Sequence, residues 1–447
     1  MAEEEKHIEN RTLRVTALLG AGVNMGLDLS FKPSTYYLTE RLVNAQYPIF
    51  DINTHRDKNS DLVQYVYTTI CQNYSEGKLN PADSYDKVHF EIIFHVLENL
   101  YSYCYFLEHQ GNGKHLPNDY VPPFAYITHI NKAYSSSEIN QVMKLFISNL
   151  MEMIYAYDEE YKNNKNGGVN KQYNDFWTAA DYKWDVFNLN YDTTIENSLR
   201  SYDDGSAIID AKYAFKKFVP EQLYTTLDNT VNHLHGCITY GIERMSLDEY
   251  NHNYVYFYDS DDYYRWNDFG SAFKLWKSYS RNNLIAQNHE VIFPSPIITG
   301  LNKTDKITTL PFNMYKQHFS QKLILNNALL IAGYSFGDLY LNKEIERMRL
   351  YHGDNWRVVL IDKWDLSPYA RLSKRDKVEN YIWDQKINQD LVQLVCKVAR
   401  EGQIDANIFT YNHNGYLVSK NKQLMLFVDG INAALQHSND IYAFLQS

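Results

Sequence analysis

The stretch that decides the fold is "VFNLNYDTTIE", residues 186–196, in which an apolar run stops at a polar pair. Val186 and Phe187 predict a buried strand, and Asn190 and Asp192 follow it at the point where a helix should begin. In an open α/β sheet, ligands bind at the carboxyl ends of the strands. The polar pair is therefore either part of a binding site or, through Asp192, a cap for the next helix.

Similar apolar runs recur along the chain, and helical patterns lie between most of them. Strands that alternate with helices predict βαβ units and a mostly parallel sheet, which is an α/β fold. The predicted strands cover residues 12–19, 184–189, 230–235, 290–295, 328–335 and 357–362, and the predicted helices between them cover 271–287, 312–326 and 338–350.

Two regions stand apart from this alternation. Residues 86–108 and 138–160 have the three- and four-residue apolar spacing of helices, whereas 162–174 has the composition of a loop. The predicted organisation is a catalytic domain over residues 1–375, with a helical insertion at about 50–180, and a C-terminal region over 376–447 that is helical with one hairpin.

Composition excludes several classes of protein. The net charge of −11, from 43 basic and 54 acidic residues, and the lack of a basic block make direct nucleic-acid binding an unfavoured function. Four scattered cysteines form no C-x-x-C pair, which argues against a zinc knuckle and a disulfide framework. An acidic N-terminus and the lack of any apolar run of about 18 residues predict a cytoplasmic protein without a signal peptide or membrane span.

A glycine-rich turn, "GAGVNMG" at residues 20–26, follows the first predicted strand. Gly20 and Gly22 permit a tight turn whose amide groups a pyrophosphate can approach. The third glycine, Gly26, comes one residue too late for the G-x-G-x-x-G spacing, so a plain strand-to-helix turn is an equal alternative. Asn24 is a candidate to line a ligand pocket.

A histidine pair occurs in "VNHLHGCITYG", residues 231–241. His233 and His235 lie two positions apart, and one of them is expected to face a given pocket. Gly236 should leave room for a ligand beside the ring of His235, which favours this histidine, although a structural role is the alternative for either.

Two further strands end in small or acidic residues. The run "LLIAGYSFGDLYLN", residues 329–342, ends in Gly333, Ser335 and Asp338, and Asp338 also suits a helix cap. Asp362 ends "RVVLIDK", where an acid can hold ribose hydroxyls or simply lie on the surface. Three or four predicted strands thus end in Gly, Ser, Asn, His or Asp residues, and helix capping alone does not readily explain this number.

In this order, the segments resemble the sirtuin superfamily, and within it the bacterial antiphage defence branch. "GAGVN" resembles the GAG-x-S/N turn around the NAD⁺ pyrophosphate, and "NLNYDTTIE" resembles the T-x-N-[YI]-D segment beside the nicotinamide ribose. "HLHG" resembles the segment of the catalytic histidine, "GYSFGD" resembles the late G-[TYS]-S segment, and "HFEIIFHVLE" at residues 89–98 resembles a stretch of that branch. The resemblance spans residues 13 to about 362.

The resemblance implies a Rossmann-like fold and NAD⁺ as the substrate, with no metal. The N-glycosidic bond would be cleaved to give nicotinamide and ADP-ribose, with water as acceptor because the zinc module of protein-deacylating sirtuins is missing. The implied catalytic residues are Asn190, Asp192 and His235, and the implied NAD⁺-binding residues are Gly20, Ala21, Gly22, Asn24, Gly333, Ser335, Asp338 and Asp362.

The branch also implies a biological role, an antiphage effector that depletes cellular NAD⁺ in abortive infection. A homo-oligomer and a separately encoded partner, a HerA-like ATPase or an Argonaute-like protein, fit this expectation. Two alternatives remain open: a sensor subunit that binds NAD⁺ or ADP-ribose and works through such a partner, and a nuclease-associated subunit.

Overall fold

The structure is a computed structural model of the 447-residue chain. It describes residues 13–51, 53–74, 79–81, 84–85, 87–108, 134–179, 182–208, 215–241, 263–278, 284–285, 291–300, 303–383, 409–411 and 415–447.

An eight-stranded, mostly parallel sheet forms the centre of the described residues. Its strands are β1 (Leu13–Leu19), β4 (Tyr182–Asn188), β7 (Thr230–His233), β12 (Ala328–Ala332), β13 (Arg357–Ile361), β14 (Phe409–Tyr411), β15 (Leu417–Ser419) and β16 (Leu424–Phe427). They lie in the order β14-β15-β16-β13-β12-β1-β4-β7. β15 is antiparallel to both of its neighbours, β14 and β16, and the other pairs are parallel. The predicted α/β class and mostly parallel, Rossmann-like sheet are confirmed.

The remaining strands form three smaller sheets among the described residues, and helices lie between many of the strands along the chain. The strands are β2 (Tyr47–Asp51), β3 (Arg56–Ser60), β5 (Ser206–Ala207), β6 (Phe215–Phe218), β8 (Tyr240–Gly241), β9 (Tyr264–Trp266), β10 (Leu284–Ile285) and β11 (Val291–Ile292). The helices are α1 (Thr35–Val43), α2 (Leu62–Asn73), α3 (Phe90–Glu108), α4 (Ser136–Asn164), α5 (Gly168–Trp177), α6 (Thr194–Ser198), α7 (Pro220–Thr225), α8 (Phe269–Ser278), α9 (Lys303–Lys306), α10 (Phe312–Leu325), α11 (Leu339–His352), α12 (Lys374–Trp383), α13 (Ile431–Leu435) and α14 (Ser438–Gln446).

Both faces of the central sheet are buried, as a parallel sheet requires. Leu18 and Phe187 belong to one apolar cluster, which includes side chains of α2, α3 and α4. Their neighbours Ala17 and Val186 point the other way, into a second cluster with α5, α13 and α14. The near-continuous apolar runs of β1 and β4 therefore reflect burial on two sides.

The strand order places one reversal at the middle of the sheet. From β1 the chain continues through β4 and β7 on one side, and through β12, β13 and β16 on the other. The reversal lies between β1 and β12, and such a switch point opens a crevice at the carboxyl ends of the strands. The two glycine-rich segments, after β1 and after β12, meet at this point.

Residues 162–174 are not the predicted loop, because α5 begins at Gly168 and continues to Trp177. Tyr173, Phe176 and Trp177 have helical spacing and are buried in the second apolar cluster. Asn170 is also buried and binds the backbone of Asp28 at both its amide and its carbonyl. The Asn content of this segment therefore reflects hydrogen bonding to a segment distant in sequence rather than a loop.

Three other regions differ from the predicted pattern. The insertion at about 50–180 includes the strand β3, which pairs with β2, so it is not wholly helical. The predicted strand at 290–295 is limited to β11, which pairs with β10 outside the central sheet. The predicted helix at 271–287 is α8 up to Ser278, but Leu284–Ile285 within this range form β10, so the prediction is wrong there. The rest of the range lies outside the described residues.

The C-terminal region contributes to the central sheet. β15 and β16 form an antiparallel hairpin, and β16 pairs in parallel with β13. Tyr442 of α14 stacks on Phe176 of α5 at 5.1 Å between ring centroids. The predicted helical part at 384–408 lies outside the described residues, and the boundary at 375 stays a prediction.

Candidate functional site

The glycine turns after β1 and β12 interlock through their backbones. Gly20 N donates to Ala332 O at 2.9 Å, and Gly22 N donates to Gly333 O at 3.0 Å. Gly333 has φ +61°, and a Cβ atom there would lie 2.3 Å from the nitrogen of Val23. These glycines are therefore required by the contact between the two turns, whatever ligand the turns hold.

The Asn–Asp segment that follows β4 binds the first glycine turn. Asn190 Nδ2 donates to Gly20 O at 3.2 Å, and Asn24 Nδ2 donates to Asp192 Oδ2 at 2.7 Å. Asn24, Asn190 and Asp192 are all buried. The structure thus brings Asn24 together with Asn190 and Asp192, which lie more than 160 positions later in the sequence.

Asp192 is engaged on both carboxylate oxygens. Oδ1 accepts the backbone N–H of Thr194 at 3.0 Å, which supports the start of α6. Oδ2 accepts both Asn24 Nδ2 and the hydroxyl of Tyr157, the latter at 2.8 Å. Asp192 therefore supports the helix start and also lies in the polar cluster, and its role in a binding site stays a prediction.

Helix α4 of the insertion supplies residues that the sequence reading missed. Besides Tyr157, it carries Asp158, which accepts Thr193 N at 3.1 Å and Thr193 Oγ1 at 2.5 Å. Burial and the neighbouring Asp192 raise the pKa of Asp158 to about 7. No local motif signals Tyr157 or Asp158, because their partners lie on a different part of the chain.

His235 lies beyond the end of β7 with its side chain buried. Its Nε2 is 3.5 Å from Asp338 Oδ2, which is an ion-pair distance but longer than a normal hydrogen bond. This Nε2 is a buried polar atom without a hydrogen-bond partner. An unpaired buried polar atom is costly, so it marks a group that is available to a ligand or a water molecule.

The expected space beside Gly236 is not there. Gly236 has φ +86°, and a Cβ atom would lie 2.1 Å from Pro296 O. The glycine therefore serves the close approach of the Pro296 segment, which continues with a hydrogen bond from Ile298 N to His235 O at 2.8 Å. The prediction of ligand room at Gly236 is wrong, although the glycine does fix the backbone of His235.

Three charged groups surround the imidazole of His235. Burial and then the charge of Lys303 lower its pKa, and Asp338 and Glu91 oppose this in part. Lys303 Nζ is in turn 2.7 Å from Glu91 Oε1. Glu91 lies within the "HFEIIFHVLE" stretch that the sequence reading noted without giving the residue a role. A lowered pKa keeps the imidazole neutral at neutral pH.

Both ring nitrogens of His233, the other histidine, have partners within the protein. Its Nε2 is 2.6 Å from Glu196 Oε1, and its Nδ1 is 3.2 Å from Asn190 O. Burial disfavours the imidazolium, but Cys237 and Glu196 outweigh this and hold the pKa of His233 well above its usual range. Of the two histidines, His235 is the one with an unpaired ring nitrogen, which agrees with the preference for it in the sequence.

Glu196, His233 and Cys237 offer ligand atoms that all lie within 4.8 Å of one another, a spacing suited to a metal ion. Arg265 Nη2, however, is 2.9 Å from Glu196 Oε1. A guanidinium at that distance repels a cation, so this cluster fits a metal poorly. The expectation that no metal takes part stays a prediction.

The remaining predicted site residues lie at the same edge of the sheet. Ala21, Gly22 and Ser335 are exposed at the turns. Asp338 caps α11 by accepting Tyr340 N at 2.9 Å and Leu341 N at 3.3 Å. Asp362 accepts Lys363 N and Trp364 Nε1, so its carboxylate has local partners and its ribose-binding role stays a prediction.

The fold and this arrangement define a doubly wound α/β protein whose polar cluster lies at the switch point of the sheet. Residues 185–386 match the family model of the SIR2-like domain, which supports a sirtuin-like family. The match includes Asn190, Asp192, His235 and the Gly333 turn, and it begins after the Gly20 turn. It supports an NAD-dependent enzymatic activity.

Two further findings complete the comparison. No curated protein matches the chain in a search by sequence. Within the described parts of the chain, no helix is both long enough and apolar enough to cross a membrane.

Proposed function

We propose that this protein is an NAD⁺ hydrolase that releases nicotinamide and ADP-ribose. The observation that carries the proposal is the meeting of Asn24, Asn190 and Asp192 with the Gly20 turn at the switch point. Because the SIR2-like match supports NAD use in general, the finer assignment rests on this cluster and on the open nitrogen of His235.

The chemistry assigns a task to each side chain. Breaking the N-glycosidic bond leaves positive charge on the ribose, and the carboxylate of Asp192 stabilises such an oxocarbenium-like state. Asn190 holds a ribose hydroxyl or the attacking water. Neutral His235 accepts the proton that the water loses, as a general base does when its pKa lies near or below the working pH.

Water is the proposed acceptor of the ADP-ribosyl group. The four cysteines form no C-x-x-C pair, so the zinc module of the deacylating sirtuins is missing from the sequence. The attack of water forms the new C–O bond as the C–N bond to nicotinamide breaks, and one proton is released.

The proposed cellular role is an antiphage effector in the cytoplasm that depletes NAD⁺. We further propose that the chain forms a homo-oligomer and is triggered by a separately encoded HerA-like ATPase or Argonaute-like protein. The sequence resemblance to the defence branch supports this role. The acidic net charge of −11 speaks against a nuclease-associated subunit that binds nucleic acid directly.

A sensor subunit is the second candidate, and one observation favours it. Both oxygens of Asp192 already accept hydrogen bonds from Asn24, Tyr157 and Thr194, so the carboxylate must exchange a partner before it acts on a ribose. A sensor would bind NAD⁺ or ADP-ribose at the same turns and leave the work to a partner.

The test is to incubate the purified chain with NAD⁺ and to separate the products by chromatography. Wild-type turnover to nicotinamide and ADP-ribose that is lost in Asn190→Ala supports the hydrolase. NAD⁺ binding by calorimetry without turnover, alone and with the candidate partners, supports the sensor. Absence of both binding and turnover in each condition contradicts both candidates.

A further inference from the structure

A cavity lies beside the Asn190–Asp192 segment that follows β4. Its volume is about 440 Å³, within the range of small-molecule sites. Its walls come from α4, from residues 193–204, and from β9 with the start of α8. Asn190, Asp192 and His235 are not among its lining residues, so the cavity is separate from the proposed site of NAD⁺ cleavage.

Two buried charged side chains line this cavity and leave one polar atom each without a partner. The side chains of Glu196 and Arg265 are 4% and 8% exposed. Oε1 of Glu196 is shared by His233 and Arg265 Nη2, while Glu196 Oε2 and Arg265 Nη1 have no hydrogen-bond partner. Buried charged groups are normally satisfied, so an open acceptor and an open donor in one cavity point to a ligand.

The two open atoms require opposite partners. His233 and Arg265 outweigh the effect of burial and lower the pKa of Glu196 to about 2, so Oε2 stays an acceptor at neutral pH. The guanidinium of Arg265 offers donors alone. A matching ligand therefore presents an N–H group beside a carbonyl or ring-nitrogen acceptor.

Aromatic side chains in the wall suit a flat ligand. The rings of Tyr155 and Phe269 stack with their centroids 4.2 Å apart, and Trp266 lies in the same wall. Five carboxylates face the cavity against three cationic side chains, which disfavours a phosphorylated ligand. Aromatic walls and a few placed polar groups are typical of sites for neutral ring compounds.

We propose that this cavity binds a neutral heterocycle through a donor–acceptor edge, with Glu196 accepting its N–H and Arg265 donating to its carbonyl or ring nitrogen. A carboxamide such as nicotinamide and a free nucleobase such as adenine both carry this edge. Only the choice of nicotinamide as a probe rests on the proposed function, because nicotinamide is the product of that reaction.

The experiment measures binding of nicotinamide and of adenine to the full chain by calorimetry and by ligand-detected NMR. We expect saturable binding of at least one of them, with a dissociation constant of about 1 mM or lower. Glu196→Gln replaces the open acceptor with an amide and should weaken binding by roughly 10-fold or more. Glu344→Gln is the matched control, because Glu344 is a buried carboxylate that pairs with Arg347 away from the cavity.

Hydrogen exchange of the unmodified chain keeps the test independent of variants that fail to fold. Ligand-dependent protection at residues 193–204 and 265–270 supports the proposal. Protection confined to the Gly20 and Gly333 turns overturns it, since the heterocycle would then occupy the proposed NAD⁺ site. Absence of saturable binding of both compounds up to about 10 mM overturns it as well.

Discussion

Two polar clusters along strand β4 have opposite character. At the middle of the strand, Asp185 is fully buried and meets Arg14 Nε at 2.8 Å, Thr230 Oγ1 at 2.9 Å and Lys322 Nζ at 3.2 Å. Beyond its end, Asn190 and Asp192 bind the glycine turn, and His235 nearby keeps an open Nε2.

The two clusters differ in how far their polar groups are satisfied within the protein. At Asp185, two cations and a hydroxyl surround one carboxylate, so the buried charge is neutralised. At His235, a carboxylate oxygen lies 3.5 Å from Nε2, and this nitrogen has no hydrogen-bond partner. Under the proposed function, the open nitrogen accepts a proton from the attacking water, a role that the fully paired Asp185 cannot take.

The largest effect should come from His235→Ala. Removal of the proposed base should lower nicotinamide release by roughly 100- to 10,000-fold while the thermal midpoint stays close to wild type. Rates by chromatography and melting by circular dichroism measure both quantities. His437→Ala, a partly exposed histidine of the C-terminal segment, is the control, and full activity in His235→Ala would refute the assignment.

The opposite outcome is expected for Asp185→Ala. It leaves Arg14 and Lys322 without their carboxylate, which should cost about 3 kcal/mol of unfolding free energy in urea titrations. Activity per folded molecule should stay near wild type. Asp57→Ala, at an exposed acid of β3, should change neither quantity, and a loss of activity without a loss of stability in Asp185→Ala would contradict the comparison.

A smaller effect is expected for Tyr157→Phe. The variant removes the hydroxyl that donates to Asp192 Oδ2 and should lower kcat by about 10-fold. Tyr161→Phe is a matched control one turn along the same helix, where the hydroxyl bonds Ser198 instead. Equal kcat values in the two variants would show that α4 does not position the carboxylate.

The smallest effect concerns the pH profile. Because the base acts when neutral, kcat/KM should fall as the pH drops through the pKa of His235, which lies below its usual 6.5. Lys303 lowers this pKa, while Asp338 and Glu91 raise it. Lys303→Gln should therefore move the acid limb to higher pH and Asp338→Asn to lower pH, each by up to about one unit, and shifts in the opposite directions would argue against His235 as the base.

Much of the central sheet follows from the sequence, because a strand buried on both faces reads as a continuous apolar run. β1, β7, β12 and β13 fall within predicted strands, and β4 overlaps the predicted strand at 184–189 but begins earlier, at Tyr182. Composition misled where hydrogen bonds to a distant segment hold the chain, as between Asn170 of α5 and Asp28. The apolar pattern misled where strand β11 pairs outside the main sheet.

The site was predictable only in part. Asn190, Asp192 and His235 follow apolar runs, so strand ends indicate them, and the order of the motifs strengthens the reading. Tyr157 and Lys303 have no such signal, because each reaches the cluster through packing between segments distant in sequence. The true reason for Gly236, its contact with Pro296, also requires the structure.

The most direct test of the account is the source of the oxygen in the product. The purified chain is incubated with NAD⁺ in heavy-oxygen water, and the ADP-ribose is analysed by mass spectrometry alongside the released nicotinamide. The account predicts one heavy oxygen atom in each ADP-ribose and one nicotinamide for each NAD⁺ consumed. An ADP-ribosyl group found on another acceptor, or NAD⁺ recovered intact with every candidate partner present, would contradict hydrolysis at this site.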